Sequence, residues 1–360
     1  MSISSGQKSK RALIAAAGTG GHIFPGLAIA EALRSKGWDV SWLGTKAGME
    51  NRLVKEKNFH LDSIEFGGTR GKGLVTWLLM PFRLIKASVE CSAIIAKTKP
   101  NLVIGFGGYV TLPTGLAATF MGKRLAIHEQ NSIIGLSNKV LACLTENIFT
   151  AFPNVLKKAV VTGNPLRAEF LTIDKPAIRF ANRQGSLRIL IIGGSLGAKF
   201  LNETVPQAIK LIDLENRPNV MHQSGANQYS DLKSLYASLN VEATVVPFID
   251  DTAQAFADAD LIICRAGAST VTEIAAVGAA AMFVPLPTAV DDHQTQNAMY
   301  LVKNEAAWLQ PQRDLTPQKM ANEILKMNRD ILLKKANESN KLYIHNTVNV
   351  IVDACEELIK

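Results

Sequence analysis

Aromatic and charged residues are scarce in this chain of 360 residues. Aromatic side chains make up 6% and charged ones 19%, against 47% hydrophobic residues. A composition this apolar supplies large buried cores, which excludes a disordered protein. The formal net charge of +8 points to an anionic partner. With only five tyrosines and four tryptophans, and no basic tract interleaved with aromatics, we expect phosphorylated substrates or membrane headgroups and no nucleic acid.

Cysteines are few, and none is spaced as a metal ligand. The chain has four of them, without a CxxC pair: Cys91, Cys143, Cys264 and Cys355. That spacing excludes the common zinc templates. We therefore expect reduced, buried cysteines in a cytosolic protein. The polar, basic start of the chain does not resemble a secretory signal.

No uninterrupted apolar run is long enough to span a bilayer. Residues 73–96 come closest, but four residues interrupt them: Pro81, Arg83, Lys86 and Glu90. Two interpretations stay open, an amphipathic helix on a membrane surface or a core helix preceded by a loop. In the first, an apolar part would be flanked by basic side chains: Trp77, Leu78, Leu79, Met80 and Phe82, with Arg70, Lys72, Arg83 and Lys86.

The order strand, glycine turn, helix occurs in both halves of the chain. It begins at 11–37 and begins again at 187–209. This alternation predicts parallel sheets covered by helices, and two doubly wound α/β domains of similar size. We expect residues 1–165 in the first domain and 166–340 in the second. A final helical pattern at 341–360 is open between the two, including a return to the first.

Three glycine-rich loops follow strand-like runs: GTGGH at 18–22, GGSLGA at 193–198 and RAGASTVTE at 265–273. Glycines let backbone amides approach an anion, and the following helix presents its positive end. A dinucleotide fingerprint fails, because Ile23 replaces its last glycine and the second strand ends without an acid. Any single loop could be a structural turn with a helix cap. Their recurrence in both halves favours a phosphate-rich substrate, with no Walker motif present.

Polar residues cluster at the ends of other strand-like runs. His22 lies where the first loop meets its helix, and a histidine so placed can take a proton at neutral pH. Residues 128–131 (HEQN) predict a ligand wall, because buried polar groups need partners. DDHQTQNA at 291–298 fits a ligand contact, a solvated loop or a helix N-terminus. DAD at 258–260 matches a metal motif of sugar-nucleotide enzymes but precedes a strand, so we expect no metal.

Together these motifs resemble one glycosyltransferase family. GTGGHIFPGLA, GFGGYVTLPTGLAA, HEQNSIIGLSNK, TGNPLR, GGSLGAKFLN, HQSG, PFIDD and DDHQTQNA occur in the order typical of the MurG family. These are the lipid-linked N-acetylglucosaminyltransferases of bacterial peptidoglycan synthesis. The resemblance implies a GT-B fold, two Rossmann-like domains facing across a cleft. It also implies inverting transfer of GlcNAc, without a cofactor, from UDP-GlcNAc to the C4 hydroxyl of lipid I (MurNAc-pentapeptide on undecaprenyl pyrophosphate), giving lipid II.

The resemblance also implies roles for single residues. His22 would be the general base, with Glu129 the second catalytic candidate. Glu273 would bind the ribose and Gln294 the sugar, although some members have two glutamines where this chain has His293 and Gln294. The acceptor would contact Gly18, Tyr109 and Asn138. The donor would contact residues of both halves: Thr19, Gly20, Gly21, Asn131, Arg167, Ser195, Ile249, Ala268, Ser269, Thr270, Val271, Thr272, Glu273 and Gln294.

By the same resemblance, the chain would be a peripheral enzyme on the cytoplasmic face of the inner membrane. Its partners would be the anionic membrane surface and other cell-wall enzymes, and it would serve cell shape and division. Three rival interpretations stay open. They are another GT-B glycosyltransferase with a lipid or small-molecule acceptor, a sugar-nucleotide epimerase of similar fold, and a catalytically idle membrane scaffold.

Overall fold

The computed structural model describes residues 9–67, 78–194 and 197–360. They form two compact units. Unit 1 contains the residues up to Arg167 together with His345–Lys360, and unit 2 contains Ala168–Ile344.

Unit 1 is built on a parallel sheet of seven described strands. In chain order they are β1 (Arg11–Ala15), β2 (Asp39–Thr45), β3 (His60–Ile64), β4 (Leu102–Gly105), β5 (Arg124–Glu129), β6 (Asn147–Thr150) and β7 (Val160–Val161). Their order across the sheet is β3-β2-β1-β4-β5-β6-β7. The helices between them are α1 (Gly20–Ser35), α2 (Glu50–Glu56), α3 (Met80–Thr98), α4 (Thr111–Phe120) and α5 (Leu136–Leu141).

Unit 2 repeats the plan with six described strands. They are β8 (Arg188–Ile192), β9 (Asn219–Gln223), β10 (Thr244–Val246), β11 (Leu261–Cys264), β12 (Ala281–Phe283) and β13 (Trp308–Leu309), ordered β10-β9-β8-β11-β12-β13. The longer helices are α6 (Pro176–Phe180), α7 (Lys199–Lys210), α8 (Tyr229–Ser238), α9 (Thr252–Asp258), α10 (Ala268–Val277), α11 (His293–Val302), α12 (Pro317–Leu325) and α13 (Arg329–Lys341). The last helix, α14 (Thr347–Glu357), returns to unit 1.

Each sheet reverses its strand order at one point. In unit 1, β1 lies between β2 and β4, and in unit 2, β8 lies between β9 and β11. Loops after the two strands at such a point diverge and leave a crevice at the carboxyl edge of the sheet, where doubly wound proteins bind ligands. The fold class expected from the sequence, two Rossmann-like α/β units, is confirmed.

The core explains why the last helix belongs to unit 1. Successive strand residues point to opposite faces, so Ile14 of β1 faces α1. Three residues of α14 are buried in that same cluster: Ile351, Val352 and Cys355. Burying each large apolar side chain is worth roughly 1.5–3 kcal/mol, which fixes the helix on this face.

The structure bears on two expectations from the sequence, the burial of the cysteines and the nature of the segment 73–96. Three cysteines are buried, but Cys143 is exposed, so the expectation that all four are buried was wrong for it. Cys143 lies in the turn that follows α5, on the surface. Trp77, in the segment 73–96, lies outside the described residues. So do Arg70 and Lys72, which precede that segment. None of the described helices is both long and apolar enough to cross a membrane.

Candidate active site

The first glycine loop leads from β1 into α1. Gly18 has φ +100°, a conformation that favours glycine. Thr19 is the N-cap, and its carbonyl accepts from the amides of His22 at 3.0 Å and Ile23 at 3.2 Å. The preceding amides, of Gly20 and Gly21, begin the helix and lack a partner within its turns. They form the positive end of α1, at the switch point of the sheet.

A buried carboxylate that sequence reasoning missed holds this loop. Glu50, at the start of α2, is 0% exposed. One of its oxygens accepts from the amide and hydroxyl of Thr45 at 2.8 and 2.6 Å, and the other accepts from the amide of Gly18 at 3.3 Å. These bonds compensate for burying its charge and tie β2 to the loop.

His22 is the third residue of α1 and is half-buried. Its Nδ1 lies 2.9 Å from Oε1 of Gln130, which follows β5. The GFGG loop after β4 closes over this pair. A Cβ on Gly107 would stand 2.8 Å from His22 Nδ1, and one on Gly108 would stand 2.2 Å from the Ala17 carbonyl. Both glycines also have positive φ, so only glycine leaves room here for the histidine.

The HEQN segment splits between two tasks. His128 and Gln130 point to one side, and both are buried. His128 Nε2 donates to the Gly163 carbonyl at 2.9 Å, and Gln130 Nε2 lies 3.0 Å from His128 Nδ1. Burial lowers the pKa of His128 to about 4, so its ring is neutral at physiological pH.

Glu129 points to the other side and organises the next loop. Its carboxylate is 2% exposed. It accepts from the amide of Asn131 at 2.9 Å, the amide of Gly135 at 3.0 Å and Nδ2 of Asn138 at 2.9 Å. Of the expected acceptor contacts, Asn138 is thus buried against Glu129, whereas Tyr109, on the loop after β4, is 48% exposed.

Arg167, the last residue of unit 1 before the chain enters unit 2, is placed near the first loop. Its guanidinium carbon lies 4.9 Å from the ring centre of Phe24. The same ring lies against Gly20, where a Cβ would stand 2.9 Å from it. The expected donor residues Thr19, Gly20 and Gly21 therefore share a corner of unit 1 with Arg167.

In unit 2, the second glycine loop packs against the HQSG segment. Ser195 lies outside the described residues. Gly197 has φ +76°, and a Cβ there would stand 2.0 Å from the Ser224 carbonyl. Gln223 Nε2 donates to the carbonyl of Gly194 at 3.0 Å. The loop backbone is thus held closely against the turn after β9.

A buried polar chain supports the same turn. His222 Nε2 lies 3.1 Å from Asn202 Oδ1, and its Nδ1 lies 2.9 Å from the Tyr236 hydroxyl. Asn202, on α7, donates to the Ser224 carbonyl at 3.0 Å. Burial lowers the pKa of His222 to about 3, so this ring is also neutral. The sequence alone did not predict this role for HQSG.

The third glycine loop leads into α10. Gly267 is its extended N-cap, and the amides of the next residues point out of the helix end. Ser269 Oγ is buried without a partner in the described part of the chain. Thr272 uses its hydroxyl inside the helix, donating to the Ala268 and Ser269 carbonyls at 2.9 Å each. The expected donor residues of this helix are Ala268, Ser269, Thr270, Val271, Thr272 and Glu273.

Two further expected donor residues stand on other loops of unit 2. Ile249 is 9% exposed and lines a cavity of about 560 Å³ together with Val246 and Phe248. Gln294, near the start of α11, accepts from the amide of Leu286 at 2.9 Å through Oε1. Its amide nitrogen is therefore the group left to face a ligand.

The DAD segment is structural. Asp258 ends α9 and Asp260 immediately precedes β11, as the sequence indicated. Asp260 is 0% exposed, and its carboxylate lies 2.6 Å from Arg183 Nη1 and 3.2 Å from Arg329 Nη2. Across residues 9–67, 78–194 and 197–360, no three histidine, cysteine or acidic side chains are grouped to hold a metal ion.

Comparison with known proteins shows the family to which the chain belongs. The glycosyltransferase family 28 N-terminal domain matches residues 12–150, and the family 28 C-terminal domain matches residues 188–353. A UDP-N-acetylglucosamine--N-acetylmuramyl-(pentapeptide) pyrophosphoryl-undecaprenol N-acetylglucosamine transferase from Polaromonas naphthalenivorans is 53% identical over 98% of this chain and 99% of its own length. The enzyme of that name from Cupriavidus necator is 49% identical over 97% of the chain and 98% of its own length.

Solved structures agree in fold. The crystal structure of Acinetobacter baumannii MurG has a TM-score of 0.83 and 40% identity, covering 97% of this chain and 99% of that one. A putative UDP-N-acetylglucosamine 2-epimerase from Listeria monocytogenes has a TM-score of 0.67 at 12% identity, covering 97% of this chain and 96% of that one. The second likeness is one of fold alone. This chain belongs to glycosyltransferase family 28, in its MurG branch.

Proposed function

We propose that this glycosyltransferase moves N-acetylglucosamine from UDP-N-acetylglucosamine to the C4 hydroxyl of lipid I and so makes lipid II. The observation that carries the proposal is the relative with 53% identity over nearly the whole of both chains, which bears that activity in its name. At such identity and coverage the donor and acceptor halves are both represented. The rival epimerase is supported by fold likeness only.

Unit 2 binds the nucleotide sugar in this proposal. Helix N-termini attract phosphate, because their first amides have no partner in the helix. α10 supplies such amides for the pyrophosphate. The Ser269 hydroxyl, which is buried and has no partner among the described residues, adds a donor. Ile249 faces the uracil, Glu273 the ribose and Gln294 the sugar hydroxyls. Asn131, Arg167 and Thr19 to Gly21 complete the donor contacts.

The loops of unit 1 bind the acceptor and start the reaction. Gly18, Tyr109 and Asn138 contact the acceptor, and His22 takes the proton from its C4 hydroxyl. The C4 oxygen attacks the anomeric carbon with a lone pair. The bond between that carbon and the phosphate oxygen breaks, and UDP leaves with the bonding electrons. Attack opposite the leaving group inverts the configuration. Helix N-termini stabilise the charge that develops on UDP.

Glu129 is less suited than His22 to take this proton. Its two oxygens already accept four hydrogen bonds, from Asn131, Gly135 and Asn138 in the loop and helix that follow it. The carboxylate is thus occupied in holding this segment. His22 instead has one nitrogen, Nε2, without a hydrogen bond to any described residue.

We expect Gly197→Ala to weaken donor binding selectively. The new Cβ would overlap the Ser224 carbonyl, and backbone strain of this kind costs about 1–3 kcal/mol. If the loop moves to relieve it, the KM for UDP-GlcNAc rises about tenfold, measured by initial rates. Gly185→Ala is the matched control, since its φ is +73° but nothing lies within 4 Å of its Cβ. Equal KM values for the two variants would contradict a donor role for this loop.

The site of action we propose is the cytoplasmic membrane surface. α3 buries one stripe in the core, through Ala87, Cys91 and Ile95. It exposes a second apolar stripe with the same helical spacing: Leu78 just before it, then Phe82, Ile85 and Val89, each at least 62% exposed. Basic Arg83 and Lys86 lie beside this stripe. An exposed apolar patch of this kind, with basic side chains beside it, supports an interface with anionic lipid.

Phe82→Glu combined with Ile85→Glu tests this patch. Burial of one large apolar side chain is worth roughly 1.5–3 kcal/mol, so we expect at least about tenfold weaker binding to vesicles that contain phosphatidylglycerol. Co-sedimentation with vesicles measures it. Leu214→Glu is the control, because Leu214 is 78% exposed in unit 2. Unchanged binding of the double variant would contradict a role of the patch in membrane binding.

A role in cell shape and division, with other cell-wall enzymes as partners, would follow from activity at this surface.

Radiolabelled UDP-GlcNAc with and without a lipid I analogue tests the function itself. We expect label in the lipid fraction only when the acceptor is present. Conversion of UDP-GlcNAc to an epimer without acceptor would support the epimerase instead. No turnover in either arm would favour the scaffold, and transfer only to a different lipid would favour another GT-B enzyme.

A further inference from the structure

The HEQN segment connects to His22 through a chain of three hydrogen bonds within unit 1. The chain runs from the Gly163 carbonyl to His128, from His128 to Gln130, and from Gln130 to His22. Its groups are buried except for the His22 ring, which is half-buried. Each bond has one donor and one acceptor, so the direction of every bond can be assigned in turn.

The first bond fixes the tautomer of His128. A carbonyl oxygen can only accept, so His128 Nε2, 2.9 Å from Gly163 O, carries a hydrogen. The ring is fully buried and neutral, because burial lowers its pKa to about 4. A neutral imidazole has one N–H. Nδ1 of His128 is therefore an acceptor.

The second step fixes the orientation of the Gln130 amide. Its Nε2 lies 3.0 Å from His128 Nδ1 and also 3.0 Å from the His128 carbonyl oxygen. Both of these atoms accept, so the amide nitrogen must face them. A flipped amide would place its oxygen against two acceptors inside a buried site, where an unmade hydrogen bond costs about 1–3 kcal/mol.

The third bond reaches His22. With the nitrogen of Gln130 turned to His128, its Oε1 faces His22 Nδ1 at 2.9 Å. This oxygen only accepts, so Nδ1 of His22 carries the hydrogen and Nε2 carries the lone pair. Gly107 lies on the Nδ1 side of the ring, where a Cβ would stand 2.8 Å from Nδ1.

We propose that Gln130, oriented by His128, is a positioning residue that holds His22 in its Nδ1–H tautomer and so assigns Nε2 as the atom that takes the acceptor proton. This inference rests on the proposed role of His22 as the base. The proton passes from the C4 hydroxyl to Nε2 as the new glycosidic bond forms and UDP departs. The ring is then charged, and its Nδ1–H still donates to Gln130.

Two substitutions at Gln130 separate positioning from simple packing. Gln130→Met keeps the length of the side chain and removes the acceptor, so the imidazole is free to change tautomer. We expect kcat to fall about 10- to 100-fold, the usual cost of losing a group that orients a reactive side chain. The KM for UDP-GlcNAc should change less than about threefold, because the contacts to the nucleotide remain.

Gln130→Glu is the rescue variant. Whether charged or protonated, its carboxyl keeps an oxygen available to accept from His22 Nδ1, while the amide nitrogen is lost. We expect most of the kcat to return relative to Gln130→Met. Gln207→Met is the matched control, because Gln207 is exposed on α7 and bonds to its own helix at Glu203 O. If the Met and Glu variants are equally slow, or if the Met variant keeps normal kcat, the positioning role is overturned.

Nitrogen NMR tests the tautomer without turnover. Full-length protein labelled with ¹⁵N-histidine has six histidines. The ring-nitrogen signals that are missing from the spectrum of His22→Ala belong to His22. We expect a pyrrole-type Nδ1 and a pyridine-type Nε2 for His22 at pH 8. The reverse pattern would overturn the inference even in a fully active enzyme. A wild-type protein that transfers no sugar would instead overturn the proposed function, and the NMR pattern would still decide the tautomer.

Discussion

His22→Ala should lower kcat about 10²- to 10⁴-fold, the usual contribution of a positioned general base. The substitution removes the one imidazole at the N-terminus of α1, and alanine is well accepted in a helix. The Gly18–Gly21 loop, held by Glu50 and the Thr19 cap, should keep its backbone. We therefore expect a normal melting temperature and a nearly unchanged KM for UDP-GlcNAc. Single-turnover transfer to a lipid I analogue measures the chemical step.

His60→Ala is the matched control for this loss. His60 is exposed on β3 and pairs with Asp62 at 3.2 Å, so its removal should leave kcat unchanged. Near-normal turnover of His22→Ala would contradict the proposed chemistry. Glu129 would then become the candidate for the proton acceptor.

Asp260→Ala should destabilise unit 2 by about 3–5 kcal/mol, the usual cost of breaking a buried ion pair from one side. Arg183, whose side chain is 6% exposed, would lose its carboxylate partner. Arg329 and the amide of Arg188, which donates to the same carboxylate at 2.9 Å, would lose theirs too. At about 2–4 °C per kcal/mol for a domain of this size, the melting temperature should fall by about 6–20 °C. Scanning calorimetry measures the shift.

Asp258→Ala is the control for Asp260→Ala. It shows whether any lost carboxylate in the DAD segment destabilises unit 2, or only the buried one. Asp258 is exposed, and its carboxylate accepts a hydrogen bond from the side chain of Gln254, one turn earlier on its own helix, at 2.8 Å. A surface substitution of this kind changes stability by less than about 0.5 kcal/mol. Equal shifts for the two variants would contradict the structural role of Asp260. Preserved transferase activity in the folded Asp260→Ala protein would further support a structural role for the DAD segment.

The fold could be predicted from sequence because its signals are local. Buried parallel strands give continuous apolar runs, and each glycine turn marks where a strand ends and a helix begins. The return of α14 to unit 1 could not be predicted in this way. Its helical spacing is clear, but the cluster that buries Ile351 and Val352 includes residues of α1, more than 300 positions earlier in the chain.

The roles of the candidate site residues remain predictions, but the structure shows a division within one motif that the sequence interpretation missed. HEQN was interpreted as one ligand wall, although successive residues of a strand point to opposite faces. That alternation separates His128 from Glu129, the last two residues of β5. Gln130 and Asn131 follow the strand, and hydrogen bonds join Gln130 to His128 and Asn131 to Glu129. For Glu50 no comparable signal exists. Its buried carboxylate is compensated by bonds from Thr45 and Gly18, and only the assembled sheet brings Gly18 close.

Transfer to a lipid I analogue, compared with the same analogue lacking its C4 hydroxyl, tests the central claim most directly. Purified protein, radiolabelled UDP-GlcNAc and EDTA are incubated with each acceptor, and label in the lipid fraction is counted. We expect label on the intact acceptor, with a β-linkage by NMR, and none on the deoxy analogue. Equal labelling of both acceptors, or label that stays in the nucleotide even after magnesium is added, would contradict the account.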